Sequence, residues 1–228
     1  MTYGYDSHVS RFFAGAANQA GMTDHANSLL HDLCGTRHDD YQRERPIAWI
    51  AHSLGGLLLK EALRISFQST DQQWLHGVYR KTIATLFLGT PHRGSSVADL
   101  GVMLEGVAKA IYFDTNGTML SQLAIDSAIL DRLTADFARV YEASDFDVYT
   151  FREGKKLKIG LISFDKVVRD NSARMGYGRE QVDMINADHR RMCRFSGFED
   201  NGYLKVSNAL SNSIKAKAVS SEFYCLGR

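Results

Sequence analysis

Proline is almost missing from this chain: among 228 residues it occurs only as Pro46 and Pro91. That excludes a proline-rich linker, and no boundary between domains stands out. Cysteine is scarce too. Cys34, Cys193 and Cys225 are far apart and odd in number, which fits neither a disulfide framework nor a zinc site. A reducing, cytoplasmic location is the expectation. No apolar run approaches the length that spans a bilayer. Met1 to Asp6 has no basic region followed by an apolar one, so no signal peptide is expected. Charge of one sign is not in excess. The net charge is +1 and basic residues are scattered among acidic ones, which argues against a nucleic-acid partner. His25, His31 and His38 lie close in sequence, but their spacing does not suit metal ligation, so no metal is expected. Internal repeats and low-complexity tracts are absent. What remains, 44% apolar and 23% charged residues, is enough for one sizeable domain over 1–228 and rather little for two.

The stretch around which the rest is organised is Pro46 to Gly56. Ile47, Ala48, Trp49, Ile50 and Ala51 form an apolar run too short for a helix and suited to a buried strand. His52-Ser53-Leu54-Gly55-Gly56 follows, and then Leu57 to Leu63, rich in helix formers. Strand, sharp turn with serine at its apex, then helix is the setting of a nucleophile elbow. Small residues two before and two after Ser53 (Ala51 and Gly55) let strand and helix approach closely. The Leu54 amide, at the helix start, is placed to meet a developing oxyanion. The first glycine of the usual G-x-S-x-G pattern is alanine here, so the flanks carry the argument.

Taken in order, Met1 to Tyr5 reads as a short strand, and Thr23 or Asp24 as the cap of a helix ending at Gly35. Arg37 to Arg45 reads as a charged loop. Ser66 to Arg80 reads as a polar connection anchored by Trp74. Thr82 to Leu88 is the next buried strand, ending in Gly89-Thr90-Pro91-His92-Arg93-Gly94. Residues 97–145 hold helical periodicity in two blocks, Leu100 to Ile111 and Ile129 to Val140, separated by Tyr112, Phe113 and a turn at Asp114 to Gly117. These are either crossover helices or a cap over the site. Phe146 to Phe151 alternates as a strand, Gln181 to Asn186 reads as the last one, and Tyr203 to Ile214 as a helix before a tail at 215–228. The fold class is therefore α/β, a mostly parallel sheet with helices on both faces.

Ser53, an acid between residues 153 and 165, and His189 after the last strand stand in the chain order of an α/β-hydrolase triad. His92 precedes the acid and comes too early to be the base. It is expected, with His52, Tyr112 and Phe113, to line the substrate site.

Three segments, Ala51 to Leu57, Gly89 to Ser96 and Asn186 to Phe195, resemble the motifs of lipase-like serine hydrolase domains common in fungi. Those domains often stand at the amino end of NACHT or ankyrin-repeat proteins. They are similar to the serine active site containing protein and to inositol deacylases of lipid anchors. Tyr3-Gly4-Tyr5-Asp6 is similar as well, so the resemblance runs from residue 1 to about 210. It implies Ser53 as nucleophile, His189 as general base and no cofactor. Phe151-Arg152-Glu153 matches the family's acid segment, with Asp165 as the alternative acid. Asp188, beside His189, is expected to be a turn residue.

The resemblance also implies strands and a His-Gly oxyanion loop upstream of Tyr3, which this sequence does not contain. Three readings follow. One is an esterase, thioesterase or lactonase acting on a small-molecule or lipid ester. Another is a weakly active or inactive interaction module. The third is a hydrolase-fold enzyme turned to transacylation or cyclisation. Absent edge strands would also leave a bare edge near Tyr3, where a homodimer partner is expected to pack.

Overall fold

The computed structural model describes residues 1–2, 17–92, 127–159, 162–163, 168 and 173–226. In chain order the elements are α1 (Ala17–Gly35), α2 (Asp40–Glu44), β1 (Ile47–His52), α3 (Gly55–Gln68), α4 (Gln73–Lys81) and β2 (Thr82–Leu88). Then follow α5 (Ser127–Glu142), β3 (Asp147–Glu153), β4 (Lys158–Ile159), β5 (Ile162–Ser163), β6 (Glu180–Ile185) and α6 (Asn201–Leu226). Four strands form one parallel sheet in the order β1-β2-β3-β6, while β4 and β5 make a separate antiparallel pair.

Burial explains the strand sequences. β2 lies inside the sheet and all seven of its residues are buried, so it reads as a continuous apolar run rather than an alternating one. Its side chains feed two cores. On one face Phe87 packs with Leu59 and Leu63 of α3, Phe137 and Val140 of α5, and Val148 of β3. On the other, Leu86 and Leu88 pack with Tyr149, Phe151, Ile185, Met192 and the α6 residues Val206 and Ala209. Helices therefore cover both faces, as expected for an α/β protein.

A buried charge ties three helices together. Glu61 of α3 is fully buried. It accepts from Thr23 of α1 at 2.9 Å and from Arg64 at 2.7 and 2.9 Å, with Arg132 of α5 at 3.6 Å. Burial pushes its carboxyl up, but the bonds and charge of Arg64, with Arg132 and Thr23, hold it below the usual value. Such a pairing is what allows a carboxylate to be buried at all.

Several expectations move. α1 begins at Ala17, so Thr23 and Asp24 lie inside the helix and the Thr23 hydroxyl serves Glu61 instead of a cap. The charged 37–45 stretch contains α2, which Asp39 caps by accepting from the Gln42 amide at 2.7 Å. The 66–80 connection is largely helical, and its anchors are the buried Leu75 and Val78. Trp74 is 41% exposed and tilts against the His31 ring. β3 runs on to Glu153, and α6 continues to Leu226 through the stretch read as a tail. The Tyr3 strand, the Leu100 to Ile111 block, Tyr112, Phe113 and Asp165 lie outside the described residues.

Candidate active site

At the carboxyl end of β1 the chain turns sharply. Ser53 has φ of 55°, the single positive value on a non-glycine residue among those described. A side chain tolerates this left-handed region only when its surroundings enforce it. Here the Ser53 amide donates to the Leu88 carbonyl at 2.9 Å, and the Thr90 hydroxyl donates to the Ser53 carbonyl at 3.0 Å. Gly56 makes room for that threonine: a Cβ at 56 would lie 2.2 Å from Thr90 Oγ1 and 2.4 Å from its methyl.

The turn brings Ser53 Oγ within 2.9 Å of His189 Nε2. On the opposite side of the ring, Nδ1 lies 2.8 Å from Glu153 Oε1. With serine donating to Nε2 and Nδ1–H donating to the carboxylate, the three side chains form one continuous line. All are buried: Ser53 is 4% exposed, Glu153 1% and His189 0%. Residues 136 and 36 positions apart meet because β1, β3 and β6 are parallel and their carboxyl ends share one rim.

Each partner is held from behind. Glu153, the last residue of β3, also accepts from the Val168 amide at 3.0 Å. The loop bearing His189 is fastened to the end of β3, since the Gly154 and Lys155 amides both donate to the Ala187 carbonyl. Asp188 behaves as the turn residue it was expected to be, its Oδ1 accepting from the Arg190 and Arg191 amides. Beneath the imidazole sits Gly89, φ 57°, where a Cβ would be 3.0 Å from His189 Nδ1 and 2.7 Å from Met192 Sδ. Leu54 is buried at the foot of α3. Its amide falls among those at a helix start that have no acceptor within the helix.

The remaining candidates fall in different places. His52 stands beside the triad, its Nε2 2.8 Å from the His189 carbonyl and its ring centroid 4.9 Å from that of His189. Burial first, and then the charge His189 can carry, lower its pKa to about 4. His92 is fully buried, edge-on to Phe87 at 4.8 Å, and its carbonyl accepts from Thr134 of α5. Sequence reasoning missed Thr90 and Gly89 as supports of the site. The Gly-Thr pair closing a buried strand was the available signal. Among the described residues no cluster of side chains could hold a metal ion, and no helix is long and apolar enough to cross a membrane.

A parallel sheet with serine at a strained strand-to-helix turn, an acid at the end of a later strand and histidine after the last one is the arrangement of an α/β-hydrolase fold. The chain is similar to Protein SERAC1 of Homo sapiens, 30% identical over 169 residues, which is 74% of this chain and 24% of that protein. It is also similar to Protein SERAC1 of Danio rerio, 30% identical over 151 residues, or 66% of this chain and 21% of that one. The chain thus spans about a fifth to a quarter of the length of the curated relatives it matches. A structural likeness to the Bacillus licheniformis lipase BlEst2 in its mature form has a TM-score of 0.49 at 19% identity, covering 74% of this chain and 67% of that one. No family model matches.

Proposed function

We propose that this protein is a serine hydrolase acting on a carboxylic ester, thioester or lactone through an acyl-enzyme. The observation that carries this reading is the unbroken hydrogen-bonded line from Ser53 through His189 to Glu153, at 2.9 and 2.8 Å. Isolated serine and histidine side chains are common. A serine held at positive φ and bonded to a histidine, itself bonded to a buried carboxylate, is rare outside nucleophilic catalysis.

Each residue has a role. Ser53 Oγ attacks the carbonyl carbon as His189 Nε2 takes its proton. Glu153 holds Nδ1–H, fixing the tautomer and stabilising the imidazolium that forms. The Leu54 amide donates to the oxyanion. When the tetrahedral intermediate collapses, His189 returns the proton to the leaving alcohol or thiol, leaving an ester on Ser53. Water, deprotonated by the same imidazole, then attacks that ester; as the second intermediate collapses, the imidazolium returns the proton to Ser53 Oγ and the acid is released. The charge balance needs no metal or organic cofactor.

The test is turnover of short acyl esters by the wild type and by Ser53→Ala. The substitution removes one buried hydroxyl and should leave the thermal transition nearly unchanged while abolishing turnover. Equal rates would remove Ser53 from the mechanism. A homodimer through the amino-terminal segment is proposed as well; among the described residues β1 stands first in the sheet order and its Ile50 is 54% exposed. Light scattering that returned the mass of a single chain would count against it.

A further inference from the structure

His52 directly precedes the nucleophile, and the activity just proposed gives it no task. Its Nε2 lies 2.8 Å from the main-chain carbonyl of His189. A carbonyl can only accept, so Nε2 carries the proton and Nδ1 does not. Two consecutive residues of the elbow therefore grip the same residue at two points. Ser53 takes the His189 ring at 2.9 Å and His52 takes its main chain at 2.8 Å, across 136 and 137 positions of sequence. The His189 segment is a loop after β6, fastened to β3 through Ala187 and to the region of Gly89 by the buried Met192. The first does not touch the β1 elbow, and the second reaches it at one remove, through Leu88 and Thr90, the neighbours of Gly89 that bond the Ser53 main chain. Among the described residues, the hydrogen bond that joins the His189 main chain directly to the elbow is the one from His52.

We propose that His52 is a positioning residue that holds the His189 backbone in register with Ser53, so that the ring stays aligned when its bond to serine breaks. The inference rests on the hydrolase reading of Ser53 and His189. During acyl transfer the Ser53–His189 bond is lost, because serine becomes an ester. At that stage Glu153 and the His52 bond are what keep Nε2 facing the reacting carbon. The neutral form suits this role, since a second cation 4.9 Å from a forming imidazolium would oppose it. The low pKa of His52, caused mainly by burial, keeps it neutral at any ordinary working pH.

Three variants test this: His52→Leu, which fills the space without a donor; His52→Gln, whose amide nitrogen reaches about as far as Nε2; and His52→Asn, which is too short. A misplacement near 1 Å can cost about a hundred-fold in rate. His52→Leu is therefore expected to lower kcat by about ten- to a hundred-fold with KM within about two-fold, His52→Gln to recover most of that, and His52→Asn little. The far-downfield proton resonance of the His189–Glu153 bond supplies a readout that needs no turnover. It should broaden or shift in His52→Leu and return in His52→Gln. Should His52→Leu fail to fold, the contrast between His52→Gln and His52→Asn decides. Wild-type kcat and an unmoved resonance in His52→Leu, or equal behaviour of the glutamine and asparagine variants, would overturn the proposal. A wild type that shows the resonance and its His52 dependence but turns over no ester would instead count against the hydrolase reading alone.

Discussion

Gly89→Ala is the substitution in which fold and site are most tightly linked. Gly89 closes β2 with φ 57°, a conformation that costs a residue with a Cβ roughly 1–2 kcal/mol. The added methyl would stand 2.7 Å from Met192 Sδ, 3.0 Å from His189 Nδ1 and 3.2 Å from His189 Cε1, all closer than ordinary van der Waals contact. The methionine can bend away. The imidazole has less freedom, being bonded at both nitrogens, so it must move by several tenths of an ångström. Crowding adds about 1–3 kcal/mol, with the low end fitting a flexible methionine, and alanine returns about 0.4–1 kcal/mol by restricting the unfolded chain. A net loss of about 2 kcal/mol is expected, with a fall in kcat/KM of about ten-fold, less than a full 1 Å displacement would cause. Gly77→Ala is the control, because a Cβ there meets nothing within 4 Å and the residue lies inside α4. That variant should gain about 0.5–1 kcal/mol with unchanged activity. Urea midpoints and ester kinetics on both variants decide. Gly89→Ala as stable and as active as the wild type would mean that neither the positive φ nor the packing against His189 and Met192 constrains this position.

Two other outcomes are expected. Glu153→Gln should lower kcat by roughly a thousand- to ten-thousand-fold, because an amide can hold the wrong tautomer of His189, while Asp165→Asn should leave most activity; steady-state kinetics that ranked them the other way would hand the acid role to Asp165. His52 should also make stability depend on pH: its pKa falls from 6.5 to about 4 on folding, so the unfolded chain binds its proton first, and stability is lost as pH drops from about 6.5 to 4. The loss is about 3 kcal/mol in total, and denaturant titrations should show a flatter acid limb for His52→Gln; parallel limbs would contradict this.

Where one physical cause dominated a segment, the sequence displayed it. β2 is buried on both faces, so its seven apolar or small residues pointed to a strand at Thr82 to Leu88, where it lies. The elbow was legible because a strained turn demands small neighbours, and Ala51, Gly55 and Gly56 are present. Glu153 was harder to place, since a carboxylate ending a strand resembles any loop acid until the His189 loop folds over it. Thr23 looked like a helix cap and proved to serve Glu61, 38 residues away, a tertiary need that no local pattern carries. Trp74 looked like an anchor by size alone, yet Leu75 and Val78 occupy the buried face of α4. The role of His52 was invisible for the same reason, because its partner is a main-chain carbonyl 137 residues on.

The central claim, that Ser53 is an activated nucleophile, is most directly tested by fluorophosphonate labelling followed by peptide mapping. A single adduct is expected on Ser53 in the wild type, lost in Ser53→Ala and slowed by orders of magnitude in His189→Ala. Absence of labelling in a folded wild-type protein, or equal labelling in His189→Ala, would contradict it.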